Sequence, residues 1–315
     1  MWSDVALLLT GLVLLTAGAE ALVRGSSALA QRLGLTPLVV GLTVVAFGTS
    51  SPELVVSVEA AIMGQGDLAL GNVVGSNVFN VGIILGLTAL LCPIAVSLPV
   101  IRFDTPVMIA VSLLAVGLIA LGTISRAAGL GLLVLIVAYT VFNIQAAKRQ
   151  AQAESAARAQ PAAASSGSVS LDLLFVAGGL GFLVLGSHLL VTSAVAISRA
   201  LNVSEAVIGL TVVAAGTSMP ELATSVAAAV RRHPDIAVGN VVGSNIFNIL
   251  GILGTAAMVQ PISAPGIGLR DAWVMLAFAL AVLPLFWTGR RLLRWEGVLL
   301  LAGYGVYLWV LWPSK

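Results

Sequence analysis

The 315-residue sequence is poor in charge, in cysteine and in histidine. Charged residues make up 9% of the chain and hydrophobic residues 59%, whereas a soluble domain carries about 25% charged residues. The single cysteine, Cys92, permits no intramolecular disulfide and no cysteine metal cluster. The few basic residues lie in short segments between apolar stretches, which argues against nucleic acid as a partner. The composition therefore predicts a polytopic membrane protein.

The same two motifs occur twice, 168 positions apart. Residues 41–54 read GLTVVAFGTSSPEL and residues 209–222 read GLTVVAAGTSMPEL, while residues 71–80 and 239–248 read GNVVGSNVFN and GNVVGSNIFN. Over residues 41–80, 27 of the 40 positions are identical to their counterparts without a gap. Packing alone would duplicate apolar character, but it would not duplicate carboxylates, hydroxyls and amides. The repeat therefore predicts one site built from both halves.

Ten apolar stretches are long enough to cross a bilayer, which takes roughly 20 residues. We predict an all-α polytopic membrane protein with spans at about 4–23, 36–62, 68–92, 104–122, 128–146, 171–194, 204–230, 236–260, 271–288 and 294–312. Residues 148–170 are rich in Ala, Ser and Gln and are predicted to be a flexible linker. The predicted domains are thus an N-terminal five-helix repeat at 1–147, the linker at 148–170 and a C-terminal five-helix repeat at 171–315.

The distribution of basic residues predicts the orientation of these spans. Eleven of the 15 lysines and arginines fall on the side reached after the first span, and four fall on the other side. Because cytoplasmic loops carry the excess of such residues, we predict a cytoplasmic linker and both termini outside. The N-terminal segment lacks the basic start of a signal peptide, so the first span is predicted to be retained. Five spans per half would invert the second repeat, a transporter design with its site near the midplane.

The first motif places a proline and a carboxylate inside an apolar stretch. Pro52 has no N–H and its ring clashes with the carbonyl of Gly48, so we expect a kink. In a bilayer the freed carbonyls need a partner, and a cation can serve as one. A charged side chain at the bilayer centre costs about 2.5–3.5 kcal/mol and usually marks an ion pathway. A proline kink in a core helix explains one motif, but Glu53 and its duplicate Glu221 favour an ion site.

The second motif adds hydroxyl and amide groups. Ser76 and Asn80 share a helix face, and Gly75 allows close helix approach. We predict that Ser76 and Asn80 are ligands and that Asn72 and Asn77 are structural. All of these groups are hard oxygen donors, which disfavours zinc, copper and iron and favours Ca²⁺ or Na⁺. Two glutamates can neutralise one Ca²⁺ or two Na⁺, so a shared site would suit an exchanger.

These motifs resemble the α-repeats of the Ca²⁺/cation antiporter superfamily and are most similar to those of prokaryotic sodium/calcium exchanger proteins. The resemblance implies ten helices in two inverted five-helix repeats, with alternating access by sliding of the first and sixth helices. It implies a multi-pass protein of the cell (inner or plasma) membrane whose partners are Ca²⁺, Na⁺ and the lipid bilayer, with no cofactor and no obligate protein partner. By matched position, the implied Ca²⁺ ligands are Glu53, Glu221, Thr49 and Thr217; the implied Na⁺ ligands are Ser50, Ser76, Ser218 and Ser244 with the carbonyls of Ala46 and Ala214; Asn80 and Asn248 would lie at the centre.

The predicted function is secondary active exchange of Ca²⁺ for Na⁺. Several related exchangers have Asp at the position of Asn248, so this chain has at most two carboxylates at its site. This departure leaves the ion stoichiometry and any role of protons or K⁺ open. The nearest alternative is exchange of Ca²⁺, or of another cation, for H⁺ with the glutamates carrying protons; a passive cation channel is a weaker one. The chain has no HExxH pair and no evident nucleophile–base constellation, so we predict that it is not an enzyme.

Four further polar positions carry smaller predictions. His188 replaces the equivalent of Glu20 and is predicted to be a polar residue near the cytoplasmic end of the sixth span, with a pH sensor as the alternative. Glu59 has no acidic counterpart and is predicted to face an outer vestibule or an interface. Asp67 and Asp235 match each other and are predicted to start the third and eighth spans.

Overall fold

The computed structural model describes residues 2–33, 36–157, 168–200 and 214–311. Helices account for nearly all of these residues. They are α1 (Trp2–Leu33), α2 (Pro37–Thr49), α3 (Ser51–Ile62), α4 (Gly66–Leu91), α5 (Val100–Ala120), α6 (Arg126–Ala157), α7 (Val169–Ala200), α8 (Ala214–Thr217), α9 (Met219–Val230), α10 (Pro234–Val259), α11 (Leu269–Trp287) and α12 (Arg294–Leu311). Four two-residue strands join loops: β1 (Ile94–Ala95), β2 (Thr123–Ile124), β3 (Ile262–Ser263) and β4 (Arg291–Leu292).

Seven of the described helices are long and apolar enough to cross a membrane, and α2 with α3 would make an eighth if the bent pair is one span. Their outer faces are rich in exposed leucine, valine and phenylalanine. A soluble protein would rarely expose so much apolar surface. The prediction of a helical membrane protein with several apolar spans is therefore confirmed.

Three helices run further than their predicted spans. Helix α1 continues to Leu33, past the predicted end at residue 23, and α7 continues to Ala200, past the predicted end at residue 194. Helix α6 continues to Ala157, well into the predicted linker. Residues 146–157 consist mostly of Ala, Gln, Lys, Arg and Glu, which are strong helix formers even where they are too polar for the bilayer. Hydropathy indicates which residues are apolar enough to lie in the bilayer. It does not indicate where a helix ends, because a helix can continue into water. Linker residues 158–167, and residues 204–213 of the predicted seventh span, lie outside the described part of the chain.

Both GTSxPE motifs break their helices, as the sequence predicts. Helices α2 and α3 meet at Ser50 and are bent by 47°. Ser50 has φ −82° and ψ 9°, and the equivalent Ser218 between α8 and α9 has φ −86° and ψ 6°. The proline lies in the first turn of the helix that follows each break, where its missing N–H costs no helical hydrogen bond.

Helices α1 and α7 form the most extensive helix–helix contact among the described residues. The contact depends on glycine: an added Cβ would lie 2.8 Å from the carbonyl oxygen of Gly186 at Gly11 and 2.8 Å from that of Gly179 at Gly18. The later residue of α1, Gly18, faces the earlier residue of α7, Gly179, so the two helices are antiparallel. Glycine lets the two backbones approach closely where any side chain would separate them.

Helices α4 and α10 form the centre of the described structure. Most residues of α4 and nearly all residues of α10 are buried. Each contains one π-helical segment, at Asn80–Leu85 and Asn248–Leu253, and each segment begins at the asparagine that ends the second motif. Such π-bulges often occur at functional sites, because they turn side chains out of the regular helical register.

Candidate ion-binding site

The two glutamates of the repeated motif are buried and are paired across the two halves of the chain. Glu53 and Glu221 are each 1% exposed. Ser218 Oγ donates to Glu53 Oε1 at 2.9 Å, and Ser50 Oγ donates to Glu221 Oε1 at 2.6 Å. Each carboxylate therefore contacts the helix break of the other half, as a site shared by both copies requires.

The serines of the second motif extend the two clusters. Ser244 Oγ lies 3.0 Å from Ser50 Oγ, and Ser76 Oγ lies 3.3 Å from Ser218 Oγ. All four serine side chains are fully buried. The structure therefore brings together each predicted glutamate with two of the predicted serines: Glu53 with Ser218 and Ser76, and Glu221 with Ser50 and Ser244.

The remaining predicted residues of the first motif surround the breaks. Thr49 Oγ1 is 3.0 Å from the carbonyl oxygen of Val45 and 3.1 Å from Asn240 Oδ1. The Ala46 carbonyl oxygen accepts the backbone N–H of Ser50 at 3.0 Å, so one of its two lone pairs is used by its own chain. Thr217 is buried at the end of α8, and Ala214 is the first residue of that helix.

The two central asparagines have different surroundings. Asn80 Nδ2 donates to Asn245 Oδ1 at 3.0 Å, whereas neither side-chain polar atom of Asn248 has a hydrogen-bond partner in the described part of the chain. Both residues are 1% exposed. The duplicated sequence therefore forms a centre that is not symmetric at the level of hydrogen bonds.

Four side-chain oxygens of the predicted ligand set are buried without a hydrogen-bond partner among the described residues. They are Glu53 Oε2, Glu221 Oε2, Asn80 Oδ1 and Asn248 Oδ1. An unpartnered buried amide oxygen is costly, and an unpartnered buried carboxylate is more so. A cation coordinated by these oxygens would offset that cost, and hard oxygen donors suit Na⁺ and Ca²⁺.

Two residues that the sequence analysis did not count as ligands hold the glutamate backbones. Asn72 Nδ2 donates to the Glu53 carbonyl oxygen at 3.2 Å and to Ser57 Oγ at 2.9 Å. Asn240 Nδ2 makes the equivalent contacts to the Glu221 carbonyl oxygen at 3.2 Å and to Ser225 Oγ at 3.0 Å. Ser57 and Ser225 occupy matched positions of the repeat. This duplication of a buried polar residue was the sequence feature that could have predicted the role of the two asparagines. Asn72, predicted to be structural, thus contacts the backbone of a predicted ligand.

The outlying polar residues lie away from this cluster. His188 and Glu59 are exposed, and Glu20 forms an ion pair with Arg231. His188 lies two residues beyond Gly186, which packs against Gly11 near the start of α1, so it is far from the linker end of the sixth span. Its predicted position near the cytoplasmic end of that span does not fit this arrangement. Asp67 is in the first turn of α4, as predicted, but its Oδ1 accepts the backbone N–H of Gly266 at 2.8 Å. This carboxylate therefore joins the start of α4 to the loop before α11 in the other half. Asp235 is likewise in the first turn of its helix, α10.

Comparison with known proteins gives matches along nearly the whole chain. The sequence matches the family described as sodium/calcium exchanger protein over residues 3–145 and 171–312. It is 39% identical to the putative antiporter CaxA of Alkalimonas amylolytica, covering 97% of this chain and 98% of that protein. It is 33% identical to the sodium/calcium exchanger MaX1 of Methanosarcina acetivorans, covering 97% of each chain.

A solved structure of the sodium-calcium exchanger NCX_Mj, soaked with Na⁺ and Ca²⁺, has the same fold. It superposes with a TM-score of 0.83 at 32% sequence identity, and the match covers 97% of each chain. The fold and the buried oxygen cluster define a membrane transporter of the cation antiporter class. The chain belongs to the sodium/calcium exchanger protein family.

Proposed function

We propose that this protein is a secondary active antiporter that exchanges Ca²⁺ for Na⁺ across the cell membrane. The observation that carries the proposal is the crossed arrangement of Glu53 with Ser218 and Glu221 with Ser50, in which each carboxylate keeps a buried, unpartnered oxygen. Two carboxylates can balance one Ca²⁺ or two Na⁺, so the same oxygens can hold either ion in turn. Competition for shared ligands couples the two fluxes.

Each residue of the proposed ligand set carries an oxygen donor and has an identical counterpart in the other half of the chain. The Ca²⁺ ligands are Glu53, Glu221, Thr49 and Thr217; the Na⁺ ligands are Ser50, Ser218, Ser76, Ser244 and the carbonyls of Ala46 and Ala214; Asn80 and Asn248 lie between them. Asn72 and Asn240 hold the glutamate backbones in place.

The proposed architecture is ten spans in two inverted repeats, at 1–147 and 171–315, joined by a cytoplasmic segment at 148–170, with both termini outside. The excess of basic residues on one side supports this orientation. The proposed alternating access is a sliding of α1 and α7, and their close glycine-lined contact supports movement of the two helices together as one unit.

The test is uptake of radiolabelled Ca²⁺ into proteoliposomes loaded with Na⁺, diluted into Na⁺-free buffer and clamped in pH with an ionophore. We expect uptake that is lost when choline replaces internal Na⁺. Glu53→Gln and Glu221→Gln should each abolish uptake, because a neutral amide cannot balance the cation. Glu59→Gln is the matched control, since Glu59 is exposed and lies outside the cluster. Near-normal exchange in either site variant would refute the proposal.

Ca²⁺/H⁺ exchange is the second candidate function. It would use the same two glutamates, which are buried with one unpartnered oxygen each. Since both central positions are amides, these glutamates are the only titratable side chains among the described residues proposed as ligands, and they would have to carry the protons. In the same vesicles, uptake that ignores Na⁺ and follows an imposed pH gradient would assign the counter-ion as H⁺. Current without any counter-ion gradient would instead indicate a channel.

A further inference from the structure

A basic surface lies where the turn between α11 and α12 meets the loop before α5. Arg290, Arg291 and Arg294 are exposed on the turn, and Arg102 is exposed in the first turn of α5. Strand β4 pairs with β1, so that Arg291 lies opposite Ala95, and the backbone N–H of Val96 donates to the Arg290 carbonyl oxygen at 2.9 Å. These pairings fix the two segments as one platform, remote in sequence from the GTSxPE motifs.

The acidic side chains of this platform are turned inward. Glu296 and Asp104 are each 1% exposed. Glu296 Oε2 accepts the backbone N–H of Leu293 at 2.7 Å, and Asp104 Oδ1 accepts the hydroxyl of Tyr139 at 2.8 Å. No ion pair joins any of the four arginines to another described acidic residue. The four arginines therefore form no ion pair within the described part of the chain, and the nearby carboxylate of Asp235, beside Ser97 of the same loop, is half-buried.

Two tryptophans flank the arginines. Trp287 ends α11 and is 63% exposed, and Trp295 is in the first turn of α12 and is 56% exposed. Tryptophan is enriched where a membrane protein crosses from the acyl chains to the head groups. Its exposure on both sides of the turn indicates that the arginines lie at head-group depth.

The internal repeat supplies a comparison within the same chain. Strand β2 and strand β3 form the equivalent pairing on the other half. At the offset of 168, Gly122 and Thr123 replace Arg290 and Arg291, while Ile119 and Ala127 replace Trp287 and Trp295. The fold therefore forms this turn without the two arginines or either tryptophan, so formation of the turn does not account for these four side chains.

We propose that this surface, formed by Arg102, Trp287, Arg290, Arg291, Arg294 and Trp295, binds the head groups of anionic phospholipids. Arginine presents several N–H donors in a planar fork that matches phosphate oxygens. Clustered arginines at the end of a membrane helix attract anionic lipid, while the indole rings cover the adjoining acyl region. The proposal does not depend on which ions the protein transports.

The test is native mass spectrometry of the purified full-length protein in a zwitterionic detergent, titrated with phosphatidylglycerol or phosphatidylcholine of the same acyl length. We expect the apparent affinity for phosphatidylglycerol to exceed that for phosphatidylcholine by about tenfold or more. The triple variant R290Q/R291Q/R294Q should lose this preference, and R290K/R291K/R294K should keep most of it. The matched control is R126Q/R270Q, which removes the two arginines at the equivalent positions of the other half.

Equal affinity for the two lipids in the wild-type protein would overturn the proposal, as would an unchanged preference in the triple glutamine variant. A control variant that loses the preference to the same extent would also overturn it, since the attraction would then belong to overall charge. A salt titration of the wild-type protein needs no variant to fold: added salt should remove the phosphatidylglycerol preference, and binding that is indifferent to salt would contradict the inference.

Discussion

At the scale of single residues, the asparagines that begin the second motif link the parts of the site. Asn240 donates to the Glu221 carbonyl oxygen and to Ser225, and accepts the hydroxyl of Thr49 from the other half of the chain. One buried amide therefore fixes the backbone of one proposed ligand and the side chain of another. Because a bilayer supplies no water to replace these bonds, the position of both ligands depends on this side chain.

We predict that Asn240→Ala weakens Ca²⁺ binding by about tenfold or more. The change leaves the Glu221 carbonyl oxygen and the Ser225 and Thr49 hydroxyls without this partner, at about 1–3 kcal/mol for each buried group that stays unsatisfied. The measurement is the external Ca²⁺ concentration that gives half-maximal uptake in proteoliposomes. Asn143→Ala is the control, because Asn143 is also a buried amide, bonded to the Tyr139 carbonyl oxygen away from the site. Equal effects of both variants would show a loss of stability alone.

At the scale of helices, the contact between α1 and α7 is the most extensive one between the two halves among the described residues. Gly18 is one of the tight positions in this contact, because its added Cβ would also lie 2.9 Å from the backbone nitrogen of Leu183. Backbone atoms cannot rotate away as a side chain can. The helices would have to separate, which would also disturb the ion pair between Arg32 of α1 and Asp172 of α7.

We predict that Gly18→Ala lowers the free energy of unfolding by about 1–3 kcal/mol, the usual cost of overpacking a tight contact. Gly181→Ala is the matched control: Gly181 is on α7, but an added Cβ there meets no atom within 4 Å. The measurement is the midpoint of thermal unfolding of each variant in the same detergent. Unfolding midpoints that agree for the two variants would contradict the close backbone approach.

At the scale of the whole molecule, the sequence allowed the prediction of the helices and of the residue types at the site, but not of their partners. The breaks at Ser50 and Ser218 follow from local proline chemistry, so the motif alone predicts them. The bond from Ser218 to Glu53 joins residues 165 positions apart, and no local rule specifies such a contact. The predicted end of α6 was too early, because hydropathy identifies the apolar part of a helix and not its polar continuation outside the bilayer. Asn80 donates to Asn245, whereas Asn248 makes no such bond to Asn77, the counterpart of Asn245. Because the four residues are identical in type, the sequence could not predict this asymmetry.

The crossed carboxylates also lead to a prediction for the stability of the entire protein. Without a cation, two buried glutamates with unpartnered oxygens oppose folding; a bound ion stabilises the folded state by about 2.7 kcal/mol at one hundred times its dissociation constant. We therefore expect Ca²⁺ to raise the unfolding midpoint of the purified protein by several degrees. Glu53→Gln and Glu221→Gln should abolish this increase, and Glu59→Gln should retain it. A Ca²⁺-dependent increase of the same size in all three variants would place the stabilising ion elsewhere, because only the first two change a carboxylate of the buried cluster.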